Sequence, residues 1–336
     1  MNLRKTVSSA GLKALRSAGF FYLAANSAAR RKRLLILCYH GLSIDDEHLW
    51  LPNLYMPAEQ FRQRLQFLKD MGVVVLPLEE AVCRLHTESL PARSVVLTFD
   101  DGFVDFYRYA LPILSEFSYP CTLYLTTHYC EYRLPIITLV LDYILWKSGL
   151  SDVELPDWGI AGPKSIRSYP ERQQVVKTVL AVMRTRSLST DEKNQVAEEI
   201  ARRINVNYDR LIQKRMLQII SKDEASQTAR AGIDLQLHTH RHRTPIDRDL
   251  FRREILDNSD AISDICGQRP LHFCYPSGRH VPEFVPWLQE LGVKSATTCE
   301  TGLADRHSAD LTLPRVLDDS TMEAVRFQSF VAGLFT

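Results

Sequence analysis

The sequence has almost no net charge. Its 41 Lys and Arg meet 40 Asp and Glu, leaving a formal +1, so no global field draws the chain to nucleic acid. It has no usable disulfide pattern. Its seven cysteines are odd in number and irregularly spaced, which argues against a disulfide framework and for a reducing, cytoplasmic setting. Cys38, Cys121 and Cys274 sit in apolar strand-like runs, where cysteine behaves as a small hydrophobe. There is no internal repeat and no low-complexity tract. What remains is a chain of 336 residues, 45% hydrophobic and 24% charged, the composition of a soluble globular protein of one or two domains.

The first 33 residues combine basic positions with an apolar patch at 18–25. The patch is far too short to span a bilayer. Lys13 and Arg16 precede it closely and Asn26 interrupts its end, so it makes a poor signal-peptide core. The segment reads as a basic amphipathic helix followed by Arg30, Arg31, Lys32 and Arg33. Such a helix suits the surface of an anionic membrane, peripheral on an inner membrane. It equally suits a solvated helix packed on the domain.

Beyond it, RLLILCYH (33–40) is an uninterrupted apolar run ending in polar groups, as in a strand buried on both faces. Residues 56–72 and 103–117 have helical spacing, and 73–78, 94–99 and 121–127 read as strands. This alternation predicts an α/β fold with a parallel sheet or barrel and outer helices. Chemistry then belongs beyond the C-terminal strand ends, where His40, Asp100–Asp101 and Thr126–Thr127 fall. From 128 to 225 the pattern turns helical, with no convincing strand, and predicts a helical insertion. Alternation resumes at 231–240 and runs to a last strand at 311–316.

Three stretches carry chemistry: TFDDG (98–102), HTHRH (238–242) and FCYPSG (273–278). Alone, a DDG also suits a helix N-cap at Asp101. Strand spacing would put His238, His240 and His242 on one face, whereas a turn would gather only His238 and His242. Thr244–Pro245 ends a strand soon after and favours the turn. Taken together, one carboxylate and two imidazoles make a metal face with open positions. The second carboxylate, kept ionised by a nearby cation, is then a general base. The same face also suits a non-haem iron site, which the β-α alternation and the adjacent free acid disfavour.

In this order, TFDDG, H-T-x-x-H and F-x-Y-P-x-G resemble the polysaccharide deacetylase family (NodB homology, carbohydrate esterase 4). LLILCYHGLS is similar to the opening strand of its branch that includes poly-N-acetylglucosamine deacetylases. The likeness covers about 34–127 and 226–318. It implies an irregular (β/α)7-type barrel, with an N-terminal segment at 1–33, barrel parts at 34–127 and 226–336, and a helical insertion at 128–225. It implies hydrolysis of the acetamide of N-acetylhexosamine units in a glycan, aided by a divalent metal, zinc by default. O-acetyl ester hydrolysis and a non-catalytic glycan-binding barrel are the alternatives. By the family pattern Asp101, His238 and His242 hold the metal and Asp100 is the base. The turn Tyr275, Pro276 and Ser277 supplies a backbone N–H to the oxyanion, and His240 points elsewhere.

Two departures follow. Many members carry Arg in the third motif where this chain has Cys274, and Arg315 is the candidate to orient Asp100 in its place. The family's C-terminal Leu-x-His acid is missing. His307 lies in a polar loop and is a poor substitute, and the resemblance to the branch with the opening YH strand implies that the acid comes from the first strand, as His40. In the insertion, Trp146, Trp158 and several tyrosines are candidates to stack on sugar rings.

Overall fold

A computed structural model describes residues 8–334. Seven parallel strands form a ring: β1 (Leu35–Tyr39), β2 (Ser94–Asp101), β3 (Thr122–Leu125), β4 (Asp234–Leu237), β5 (His272–Cys274), β6 (Ser295–Thr301) and β7 (Leu313–Leu317). The ring closes because β1 pairs on both sides. Leu35–Tyr39 align with Val95–Phe99 of β2, and Leu37 aligns with Val316 of β7. A two-residue strand, Val74–Val75, adds to the start of β2 outside the ring. The barrel is irregular. β4 and β5 align only at Leu237–Phe273, and the register of β6 on β7 shifts between Thr297 and Thr301.

All eight residues of β2 are buried, as expected for a strand covered on both faces. The two-residue period divides them. Val95, Leu97 and Phe99 join the large core under the helices, while Val96 lies inside the barrel with Ile36, Tyr124, Cys274 and Leu313. Asp100 continues the inward row of Val96, and Arg315 continues that of Leu313. The top of the barrel interior is therefore set by strand parity to receive an acid and an arginine.

Between β3 and the helix Lys222–Arg230 lies the insertion, with helices Ile137–Lys147, Tyr169–Thr185, Thr190–Arg203 and Tyr208–Lys214. It is not wholly helical, contrary to expectation. Asp152–Leu155 pairs antiparallel with Ile160–Ser165, turning at Gly159 with φ 84°. On its two strands only Val153, Leu155 and Ile160 are buried. That apolar signal is too sparse to stand out from the Pro- and Gly-containing loop.

The N-terminal segment is not one helix either. Gly19, at φ 79°, and the Ser27 N-cap divide it into Ser9–Ser17, Phe20–Ala25 and Ala28–Arg31. These pack on the C-terminal helix Ala324–Ala332 through Leu12, Phe21, Ala25, Val325 and Ala332. Residues 1–7 of the expected segment lie outside the described residues. Arg30 is no surface cation. It is 2% exposed, and its guanidinium donates to the carbonyls of Val331, Arg33 and Ser94.

Candidate active site and metal centre

The site forms where β2 stops. Asp100 aligns with Tyr124 and Asp101 with Leu125. The chain then turns sharply, with Asp101 at φ 70° and Gly102 at φ 88°. A Cβ on Gly102 would lie 2.3 Å from Leu125 Cδ1, so both backbone angle and space call for glycine. The turn lets the two acids part. Asp100 stays inside the barrel, and Asp101 swings toward the loop after β4.

That loop presents the histidines. His238 follows β4 directly, and its backbone N–H donates to Asn258 Oδ1 at 2.9 Å. Thr239 and His242 take φ 62° and 53°, and Thr239 Oγ1 accepts from the Arg243 N–H at 3.0 Å. Buried Glu254 accepts from the Arg241 N–H at 2.8 Å and from Arg243 Nε at 2.6 Å. The turn gathers His238 and His242, with Nε2 atoms 3.2 and 3.1 Å from the same Asp101 oxygen. His240 is directed away, to Thr127 Oγ1 at 2.9 Å.

Asp101, His238 and His242 offer three donor atoms within 4.8 Å of one another. Their chemistry fits a divalent ion. His238 Nδ1 lies 2.9 Å from the Cys274 carbonyl, which can only accept. Nδ1 therefore carries a proton, which leaves Nε2, facing the cluster, as the ring's metal-ligating atom once it gives up its own proton. Burial opposes charge on Asp101, but the His242 and His238 rings overcome it and hold the carboxyl well below its usual range. Three non-glycine residues with positive φ in two loops are strained, and two of them, Asp101 and His242, bear donor atoms.

Asp100 is 2% exposed. Arg315, 1% exposed, grips it with both terminal nitrogens, each 2.8 Å from a different carboxylate oxygen. Arg315 is itself aimed by the Thr298 carbonyl, 3.0 Å from Nε. Burial works against ionisation of Asp100, yet the guanidinium outweighs it and drives the carboxyl far below the ordinary value. Cys274, at the end of β5, also lies against Asp100. Burial pushes its thiol well up, so it remains a neutral donor to Asp100 Oδ2 at 3.3 Å. His40 lies on the open side with Nε2 3.8 Å from Asp100 Oδ2. Burial lowers its basicity, and Asp100 pulls the other way.

A cavity of about 630 Å³ opens above these groups, lined by His40, Asp101, His242 and Ser277. Of the third-motif turn only Ser277 reaches it. The Tyr275 N–H is spent on the Thr297 carbonyl at 3.2 Å, its hydroxyl donates to the Leu311 carbonyl at 2.9 Å, and Pro276 has no N–H. Tyr275 and Pro276 therefore bring no free backbone N–H to the cavity. The insertion contributes Tyr129, Ile136, Leu139 and Tyr169 to the cavity lining. The tryptophans do not line it. Trp158 is buried under the Arg186 guanidinium, 4.6 Å from its ring, and Trp146 packs on Tyr143. His307 is exposed and contacts Arg306.

Residues 87–296 match the family model described as polysaccharide deacetylase. The chain belongs to the polysaccharide deacetylase family. Among curated relatives of this deacetylase, the poly-β-1,6-N-acetyl-D-glucosamine N-deacetylase of Staphylococcus epidermidis is 29% identical over 79 residues, 24% of this chain and 27% of that one. The first two curated relatives are matched over only 32% and 27% of their own length. Its barrel is shared with the Streptococcus pyogenes deacetylase PplD solved with acetate, at TM-score 0.59 and 20% identity over 90% of this chain and 99% of that one. IcaB from Ammonifex degensii gives 0.57 and 17%, over 90% and 97%.

Asn258 and Glu254 were not singled out from the sequence. Both lie on the buried stripe of the helix Arg248–Cys266, with Phe251, Ile255 and Ile262. Two polar residues on an otherwise apolar helix face are the signal that could have found them.

Proposed function

We propose that this polysaccharide deacetylase is a metal-dependent N-deacetylase that removes acetate from N-acetylhexosamine units of a glycan. The observation that carries the reading is the adjacency of the Asp101–His238–His242 donor set, of which Asp101 and His242 line the cavity, to an ionised, arginine-clamped Asp100 buried beside it. Asp101, His238 and His242 would hold the metal, and one oxygen with two nitrogens suits zinc. Bound there, a divalent ion polarises the acetamide carbonyl and makes water more acidic.

The chain's own groups account for the proton movements. Asp100 takes the proton from the attacking water. It is ionised beforehand because Arg315 supplies the compensating charge, and the two parallel bonds fix the plane of its carboxylate. Ser277, on the turn at the cavity edge, stands by the carbonyl oxygen as negative charge develops on it. His40 passes a proton to the leaving amine. Its lowered basicity makes its protonated form a ready donor. Burial of Asp100, Arg315 and Cys274 excludes water from behind the base.

The name of the Staphylococcus epidermidis relative supports poly-N-acetylglucosamine as the first substrate to test, and with it a place in exopolysaccharide biosynthesis. Acetate release is measured with zinc-loaded protein over a panel of N-acetylated and O-acetylated glycans, with Asp100→Asn as control. The reading expects release from N-acetylglucosamine polymers, lost in the control. Release from O-acetyl esters alone, or an Asp100→Asn protein as fast as the parent, would overturn it.

A further inference from the structure

Among the described residues no helix is long and apolar enough to cross a membrane. Yet the short helix Phe20–Ala25 shows Phe20, Tyr22 and Leu23 to solvent at 51, 66 and 64% exposure. These side chains are not on a frayed end. Phe21 and Ala25, between and after them, are buried against Leu12, Val325 and Ala332. One face of the helix is thus anchored while its other face presents two aromatic rings and a leucine to water. Exposed large apolar side chains so grouped mark an interaction surface.

The charge distribution indicates the partner. Residues 1–33 contain eight Lys and Arg and no Asp or Glu. The whole chain is +1, so everything after residue 33 sums to −7. The near-neutral total conceals two regions of opposite sign, and the apolar patch lies in the positive one. Some of these cations are engaged: Arg30 by buried carbonyls, Arg16 by Gln328 and Lys32 by Glu88. Lys13 and Arg31 are exposed and enter no ion pair among the described residues.

We propose that the helix Phe20–Ala25, with Lys13 and Arg31 beside it in the chain, is a docking surface for an anionic lipid bilayer. Phe20, Tyr22 and Leu23 enter the boundary between headgroups and acyl chains, and the cations meet lipid phosphates. Each Lys or Arg near such a surface strengthens binding about fivefold.

The docking has a direction. Asn26, just after the helix, accepts from Arg93, and Arg30 donates to the Ser94 carbonyl. Both contacts lie at the N-terminal rim of β2. The cavity opens at the opposite rim, beyond Asp101. A bilayer against the patch leaves the cavity facing away from the lipid, toward a glycan that has already emerged from the membrane surface. This last clause rests on the deacetylase reading; the docking itself does not.

The test is flotation of the full chain with vesicles of phosphatidylcholine alone or with about a third phosphatidylglycerol. The expected result is flotation with the anionic vesicles only, weakened by added salt. Phe20→Ser/Tyr22→Ser/Leu23→Ser should bind at least about tenfold more weakly, and Lys13→Glu/Arg31→Glu should also release the protein. Both variants should keep the parental rate of acetate release from soluble glycan, so loss of flotation is separable from loss of the site. The proposal is overturned if the parent ignores anionic vesicles or if the triple variant floats as well as the parent. It is also overturned if the parent is a dimer that the triple variant converts to monomer, since the patch is then covered by a second copy.

Discussion

Arg315→Gln is the most informative substitution. The parent side chain places two nitrogens 2.8 Å from the two oxygens of Asp100, with both residues almost wholly buried. Gln cannot carry the charge, so an ionised Asp100 would be an uncompensated buried carboxylate, costing about 3–5 kcal/mol. The group can avoid that cost by holding its proton. In the parent, burial pushes the Asp100 carboxyl up and Arg315 more than reverses it. Without the guanidinium, burial wins and the carboxyl rises above its ordinary value. The parental base is ionised throughout the working range, so it does not set the acid limb of kcat/KM. In the variant it does, and that limb moves toward neutrality. The assay is acetate release from about pH 5 to 9 at saturating zinc, with kcat falling roughly 10²-fold near neutrality. The deficit should be larger at acid pH and smaller at alkaline pH, and Arg315→Lys should recover part of it. An unchanged kcat and profile would falsify the clamp. A pH-independent loss with lower zinc content would mean that Arg315 serves only to hold the barrel together.

The two acids should separate by assay. Asp100→Asn keeps zinc affinity within a few-fold of the parent by calorimetry while losing roughly 10²–10⁴ in kcat; Asp101→Asn and His242→Ala lose at least about 10²-fold in affinity itself. Asn258→Ala leaves the His238 N–H and the Leu125 carbonyl buried without a partner, and urea unfolding should show a loss of about 1–3 kcal/mol. Asp318 is buried beside Arg64, and burial raises its carboxyl to about 6 against the pull of that arginine. Its protonation therefore adds stability that is fully present below about pH 4 and lost as pH rises through about 6, about 3 kcal/mol in all. Asp318→Asn should flatten that stretch of the stability–pH curve; an unaltered slope would show that Asp318 titrates normally.

The parts of the site written as contiguous chemistry were legible. TFDDG and HTHRH each lie at a strand end, so apolar run and polar tip signal one another, and the turn reading of 238–242 places His240 outside the cluster as the structure does. The barrel was legible because strands buried on both faces appear as uninterrupted apolar runs. What no local pattern supplied was the meeting of strands far apart in the chain. Arg315 was reached only as the substitute for the arginine missing at Cys274; the structure pairs it with Asp100 because two inward rows end at the same height. Tyr275 is part of a motif, but its direction is set by the Thr297 and Leu311 carbonyls, and no local rule gives that. The hairpin at 152–165 was hidden because only one of its faces is buried.

Ring closure has a kinetic consequence. β1 joins β2 on one side and β7 on the other, so the barrel shuts only when Leu37 and Val316, from opposite ends of the chain, come into register. Contacts of such long range are slow to form. Asp100 arrives with β2 and Arg315 with β7, so the clamped base exists only after the final seam has formed. In refolding, recovery of acetate release should lag behind the return of helical signal, and the interval between the two times the closing of the barrel.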